Sequence, residues 1–354
     1  MKTASPVARP RRPRAMTFTP DAELKGLMRA DFGAYVAACS FSPDGETIAY
    51  ALGDGRLALV EAETGETEFA APHTGAALCL AASPHGFLTG GDDGRVVLTT
   101  LETGCRELAA FPGQWVEHAA ASPDGRVLAV AVGKQVVLFP GPDFAPAPLP
   151  ELQSAVAGLA VSPDGRTLAA SHYDGVTVYA PPRPGTPGNR LEGAGSNLTV
   201  VFSPDNDKMA LATQDKSVRV YDLAQSAGYL LEGYPAKVRC LSFSSDGGTL
   251  WTGGERAFVG WPVGADVDPA TREATVFGIF EHGMLGAVAA HPALPLVAGG
   301  FDGGVVFLGS ASRQGAAPLF ALESHRVTNL VWSPDGRRLA GGSDGGPAFF
   351  MKMA

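Results

Sequence analysis

The sequence predicts an all-β fold in which one small antiparallel unit repeats along the chain. Three observations carry that expectation. A Ser-Pro-Asp-Gly turn recurs at intervals of 39 to 47 residues, each copy is flanked by apolar segments too short for helices, and turn residues are in excess. Gly (45) and Pro (28) make up roughly a fifth of the 354 residues, against a usual ~12%. Gly supplies positive φ and Pro presets φ near −65°, so such an excess fits many tight turns.

The motif is intact at Ser42-Pro43-Asp44-Gly45, Ser122-Pro123-Asp124-Gly125, Ser162-Pro163-Asp164-Gly165 and Ser333-Pro334-Asp335-Gly336. Looser copies begin at Ser83, Ser203 and Ser244, and at His291 only the proline survives. Pro suits the second position of a type I turn, Ser or Asp can bond the nearby backbone, and Gly closes the turn without a Cβ clash. Flanking segments such as 36–41 with 47–50, or 329–332 with 338–340, therefore form β-hairpins. A second turn signal follows each hairpin, for example Gly53-Asp54-Gly55, Asp92-Asp93-Gly94, Asp174-Gly175 and Asp302-Gly303-Gly304, and a third strand comes after it. Segments 106–110, 229–231 and 319–322 supply a weaker fourth strand. Four short strands in 40–45 residues make one blade of a propeller.

At this point the chain resembles the WD40-repeat family over roughly residues 25–354. The stretches carrying the resemblance are VFSPDN…LATQDKSVRVYD, ending at Tyr221-Asp222, and SPHGFLTGGDDGRVVL. The Trp-Asp dipeptide itself is never intact; Thr99, Tyr179, Tyr221, Trp261-Pro262 or Phe350 stands there. The family's buried His–Ser/Thr–Asp–Trp network is matched in part by His73, Thr89 and Asp93. TolB-like propellers share the hairpin and are the nearest rival, but they usually carry an export signal. The implied architecture is a closed β-propeller of four-stranded antiparallel blades. Eight hairpins predict eight blades, with seven as the alternative. The last copy lacks an outer strand, and repeat alignment puts residues 25–30 in its place, opposite Leu319 at Met28. The N-terminal segment is therefore expected to pair with the last blade and bury Leu27 and Met28.

Composition narrows the function classes. No apolar run reaches the ~18–20 residues that span a bilayer, so no membrane span is expected. Residues 1–16 are read as a basic Pro/Arg-rich tail, or as sequence ahead of an initiator at Met16, and residues 17–354 as one domain. The tail holds Lys2, Arg9, Arg11, Arg12 and Arg14, leaving 22 basic against 36 acidic residues in the body. Such a body offers no footprint for a phosphate backbone, so no nucleic acid is expected on the ring. Cys39, Cys79, Cys105 and Cys240 form no CxxC pair and no metal spacing, which predicts a reducing, cytoplasmic setting.

The seven histidines form no HxH, HxxxH or HExxH spacing. Glu117 and His118 fall in an innermost strand and could line an axial channel, yet a lactonase-like channel metal needs several more such groups. No GxSxG elbow, P-loop or dinucleotide fingerprint stands in a strand–helix setting. The glycine pairs Gly90-Gly91, Gly253-Gly254, Gly299-Gly300 and Gly341-Gly342 close second strands, where small residues let blades approach. No catalytic, cofactor or metal residue is expected. The predicted function is non-enzymatic: a monomeric scaffold for a protein or peptide, the alternative being a metal-dependent propeller hydrolase. The resemblance implies binding on the face built by the lead-in to each first strand and the turn after each second strand. Mapped here, that face carries Trp115, His172, Tyr173, Tyr234, Lys237, Arg256, Phe301, His325 and Arg326. Its mixed aromatic and basic character points to an acidic or aromatic-containing peptide. The Pro-rich connections 140–150 and 181–188 lie on the opposite face as solvated loops, with docking the second reading.

Overall fold

The computed structural model describes residues 16–17, 19–21, 23–224, 227–264, 267, 272–323 and 325–353; the remainder of the tail lies outside them. Every described strand pairing is antiparallel, and the described residues contain no helix. The turn motif explains the hairpins bond by bond. In the first copy the Gly45 N–H donates to Ser42 O at 2.8 Å, Ser42 Oγ donates to Asp44 Oδ1 at 2.5 Å, and the Thr47 N–H returns to Ser42 Oγ at 3.0 Å. The same set recurs at Ser122, Ser162 and Ser333. The Ser42 hydroxyl and the Glu46 N–H hold the Asp44 carboxyl below its ordinary pKa. In the seventh copy His291 replaces the serine: its Nδ1 accepts from Ala293 N and Leu294 N, which leaves Nε2 to donate to Gly336 O at 3.0 Å in the next copy.

The first strands, among them Val36–Phe41, Ala77–Ser83, Val116–Ala121 and Val156–Val161, line the hub. Each touches the next, and the last, Val327–Trp332, touches Val36–Phe41, so the ring is closed. Second strands such as Leu128–Val132 are buried throughout because neighbouring copies cover both faces, whereas outer strands such as Gly104–Ala110 are largely exposed. A propeller buries its core in this way, between blades rather than within them.

Hydrogen bonding gathers the strands into seven sheets, which corrects the expectation of eight separate blades. The fourth and fifth hairpin copies share one six-stranded sheet. Leu168–Tyr179 turns a corner at Asp174 (φ 61°) and Gly175 (φ 152°), so its first half pairs with Val156–Val161 and its second with Asn189–Phe202. Asn189–Phe202 bends in turn near Gly195 (φ 86°) and runs directly into the hub position of the fifth copy. The Tyr173–Ser196 pair carries the ladder across what is elsewhere a gap between sheets.

Two devices knit the copies, and only one was legible beforehand. Close approach at the glycine pairs is as expected: a Cβ on Gly90, Gly300 or Gly342 would lie 2.4 Å from a methyl of Val116, Val327 or Val36 in the following copy. The other is a girdle of side-chain bonds to backbone. Cys79 Sγ lies 3.3 Å from Val116 O, and Asn329 Nδ2 donates to Val36 O at 3.0 Å, each reaching the first strand of the next copy.

At the N-terminal side, Leu27–Asp31 pairs residue for residue with Pro347–Lys352, from Leu27 opposite Met351 to Asp31 opposite Pro347. Leu27 is fully buried, while Met28 is half-buried. Met16, assigned above to the tail, instead pairs with Thr67 on the outer edge of the first sheet. Residues 140–150 are not a free loop either. Ala147–Pro148 is an outer strand on Gln135–Leu138, and Phe144 is buried against His85 with ring centroids 5.1 Å apart.

Candidate functional site

The lead-in loops and the turns after second strands converge on one face of the ring. The first strands shape its centre. In seven copies the hydrogen-bond register slips at one residue of the hub-lining stretch, a bulge that skips Ala37, Leu78, Glu117, Ala157, Leu198, Gly286 and Thr328. A bulge re-aims the residue it carries. Arg239 holds the same repeat position in the sixth copy. The hub mouth thus has an exposed acid at Glu117 and an exposed base at Arg239, with small or apolar residues between them.

Six of the nine residues expected on this face are accessible. Trp115 and Tyr173 are 60% and 58% exposed, Lys237 and Arg256 are exposed, and His325 and Arg326 are half-buried beside Asp344, at 3.9 and 3.6 Å. The other three are corrected. His172 is buried: Nδ1 donates to Tyr173 O at 2.8 Å, so Nε2 accepts from the Thr177 hydroxyl at 2.9 Å and the ring serves the corner of the merged sheet. Tyr234 is buried, its hydroxyl accepting from Trp261 Nε1 at 2.6 Å and bonding Thr252 Oγ1 at 2.9 Å. Phe301 is fully buried among Phe258, Phe280 and Phe307. Each stands in a loop-face segment by repeat position, but packing against the same or a neighbouring blade turns the ring inward.

The histidine network of the second copy is formed: His73 Nδ1 lies 3.0 Å from Asp93 Oδ1 and Nε2 lies 2.9 Å from Thr89 Oγ1. Burial pushes the His73 pKa below its ordinary value against the pull of Asp93. In the sixth copy Tyr234 stands where His73 does and Thr252 where Thr89 does, but the tyrosine hydroxyl bonds Trp261 Nε1 instead of an aspartate. That substitution hid the network from a search for histidine.

Sequence reasoning passed over Tyr35, 43% exposed on a lead-in loop, and Arg239. Aligning the residues after each first-strand start would have found Arg239, because Glu117 marks the same position. His118 is more buried than Glu117, and desolvation lowers its pKa. Among the described residues no three His, Cys, Asp or Glu side chains converge as metal ligands. Burial pushes the Cys79 and Cys240 thiols up to about 12, which leaves them protonated and inert as nucleophiles.

A family model described as WD domain, G-beta repeat matches residues 316–346, from the outer strand of the seventh copy through the hairpin of the eighth. A search of curated proteins finds no match. Among solved structures the chain is similar to a computationally designed protein, Ika8, with a TM-score of 0.73 and 16% identity over 91% of this chain and 98% of that one. It is also similar to a chain of the mitotic checkpoint complex, with a TM-score of 0.65 and 16% identity over 100% of this chain and 99% of that one. At such identities the likeness shows the fold alone. Residues 316–346 thus resemble a WD40 repeat, and the chain as a whole shares the propeller fold of these solved structures.

Proposed function

We propose that the protein is a non-catalytic scaffold that holds a partner protein or peptide on its loop face. The observation that carries this reading is the exposure of Trp115 and Tyr173 on one face, at 60% and 58%. Large aromatic rings left in water on rigidly held loops are the usual anchors of an interface, and exposed Lys237 and Arg256 accompany them. Family members generally bind proteins, which supports the same reading. We place the chain in the cytoplasm as a monomer, a setting consistent with four free cysteines. No described helix is long and apolar enough to cross a membrane.

The face requires a rigid ring, and we assign the N-terminal strand the part of fastening it. The pairing of Leu27–Asp31 with Pro347–Lys352 supports this, because it covers a strand edge that would otherwise offer unpaired donors and acceptors.

Replacing Trp115, Tyr173 and Arg256 together by alanine tests the face. Anchor residues contribute on the order of 2 kcal/mol each, so the triple variant is expected to lose the proteins that the parent recovers in affinity capture with mass spectrometry. An unchanged set of captured proteins, with the variant melting as the parent does, would place recognition elsewhere.

A further inference from the structure

The loop face carries a depression of about 530 Å³ off the centre of the hub, between the sixth, seventh, eighth and first copies. Three cations line it, Lys237, Arg239 and Arg326, against a single carboxylate, Asp302. Arg326 shares Asp344 at 3.6 Å. Lys237 and Arg239 have no ion pair among the described residues. This concentration of positive charge sits on a chain with a net charge of −9. Tyr35 and Met284 add apolar surface at the rim.

The floor exists because of one glycine. At the bulge position every other copy carries a side chain, but the seventh has Gly286, between Arg239 and Thr328. A Cβ there would meet Val327 O at 3.4 Å, Asp302 Oδ1 at 3.6 Å and Gly300 O at 3.9 Å, all ordinary contacts. The backbone would therefore accept a side chain, and the space is open because none is present.

We propose that this depression is an acid-recognising subsite: it takes carboxylate side chains of the partner peptide, while Trp115 and Tyr173 on the third and fourth copies hold its aromatic part. The proposal rests on the partner-face reading and adds the charge and polarity of the ligand to it. Arg presents a planar fork that matches a carboxylate bidentately, and two such groups without full neutralisation attract an anion more strongly than dispersed surface lysines do. Glu117, across the hub at the position equivalent to Arg239, repels the acidic end and so orients the peptide.

The test measures fluorescence anisotropy of labelled Tyr-Glu-Glu-Glu-Glu-Tyr and of its Gln counterpart on the full chain at low salt. The acidic peptide is expected to bind at least about tenfold tighter, the scale of one charge-assisted contact. Arg239→Ala with Arg326→Ala should abolish that preference, and so should Gly286→Glu, which places a carboxylate in the floor. Trp115→Ala with Tyr173→Ala should weaken both peptides and leave their ratio unchanged. Equal binding of the two peptides overturns the subsite, as does absent binding of the acidic one, or a ratio indifferent to Arg239 and Arg326. Displacement of the acidic peptide by a thymidine dodecamer at lower concentration also overturns it, in favour of a nucleic-acid ligand. Equal binding of the two peptides by the parent chain, with the effect of Trp115→Ala and Tyr173→Ala retained, counts against the subsite alone. Captured partners that survive the triple variant count against the face itself.

Discussion

Leu27→Ala is expected to destabilise the protein by about 2–5 kcal/mol, the range for emptying a well-packed leucine site. Leu27 is fully buried, in a cluster with Leu322, Trp332, Phe349 and Met351 drawn from the last two copies. Its strand is also tied at both ends. Lys352 N donates to Gly26 O at 2.9 Å, and Arg29 donates to Asp21 at 2.6 Å and to Ala321 O at 2.7 Å on the outer strand of the seventh copy. Removing residues 1–31 should cost more than the point change, because it also uncovers the edge of Pro347–Lys352. Leu101→Ala, at a leucine 51% exposed on an outer turn, is the control and should stay within about 0.5 kcal/mol of the parent. Urea denaturation reads all three; a Leu27→Ala midpoint equal to the parent's would show that the strand is decoration rather than a fastener.

Gly342→Val should be of comparable severity, for the opposite reason. A Cβ on Gly342 would lie 2.4 Å from Val36 Cγ1 and 2.6 Å from Val36 Cβ, across the seam between the last copy and the first. Both residues lie in strands, so relief needs a shift of one blade against another. Overpacking a rigid core costs about 1–3 kcal/mol or more. Removing the obstruction gives a sharper test than the single change. Gly342→Ala alone should destabilise, and because alanine at position 36 would keep the Cβ that lies 2.6 Å away, Val36→Gly is the relieving change: the pair should cost at least about 1 kcal/mol less than the sum of the two single losses in a double-mutant cycle. Additive losses would mean that the seam does not depend on this contact.

What could be read in advance was what a few neighbouring residues decide. The hairpins follow from Ser, Asp and Gly bonding within six residues of chain. Repeat length put a strand at residues 25–30 with Met28 at the place of Leu319, whereas the paired segment is Leu27–Asp31 and Met28 stands at the place of Ala317. The sheet count escaped because Tyr173 pairs with Ser196, a contact that depends on how two consecutive copies bend toward each other. On the loop face, repeat position gave the segment but not the direction of its side chain. His172, Tyr234 and Phe301 turn inward because Thr177, Thr252 with Trp261, and three phenylalanines offer them partners. Arg239 was overlooked because it belongs to no motif; its meaning comes from Gly286 and Arg326, both far off in sequence.

The account stands on recognition at the loop face, and amide hydrogen exchange tests it most directly. For a partner recovered on the parent chain, exchange would be followed with and without that partner. Slowed exchange is predicted at residues 114–117, 173–175, 236–239, 254–256 and 325–327, with no change at the hairpin turns 42–45, 122–125 and 333–336. Protection centred on those hairpin turns, with the loop face exchanging as in the free protein, would contradict it.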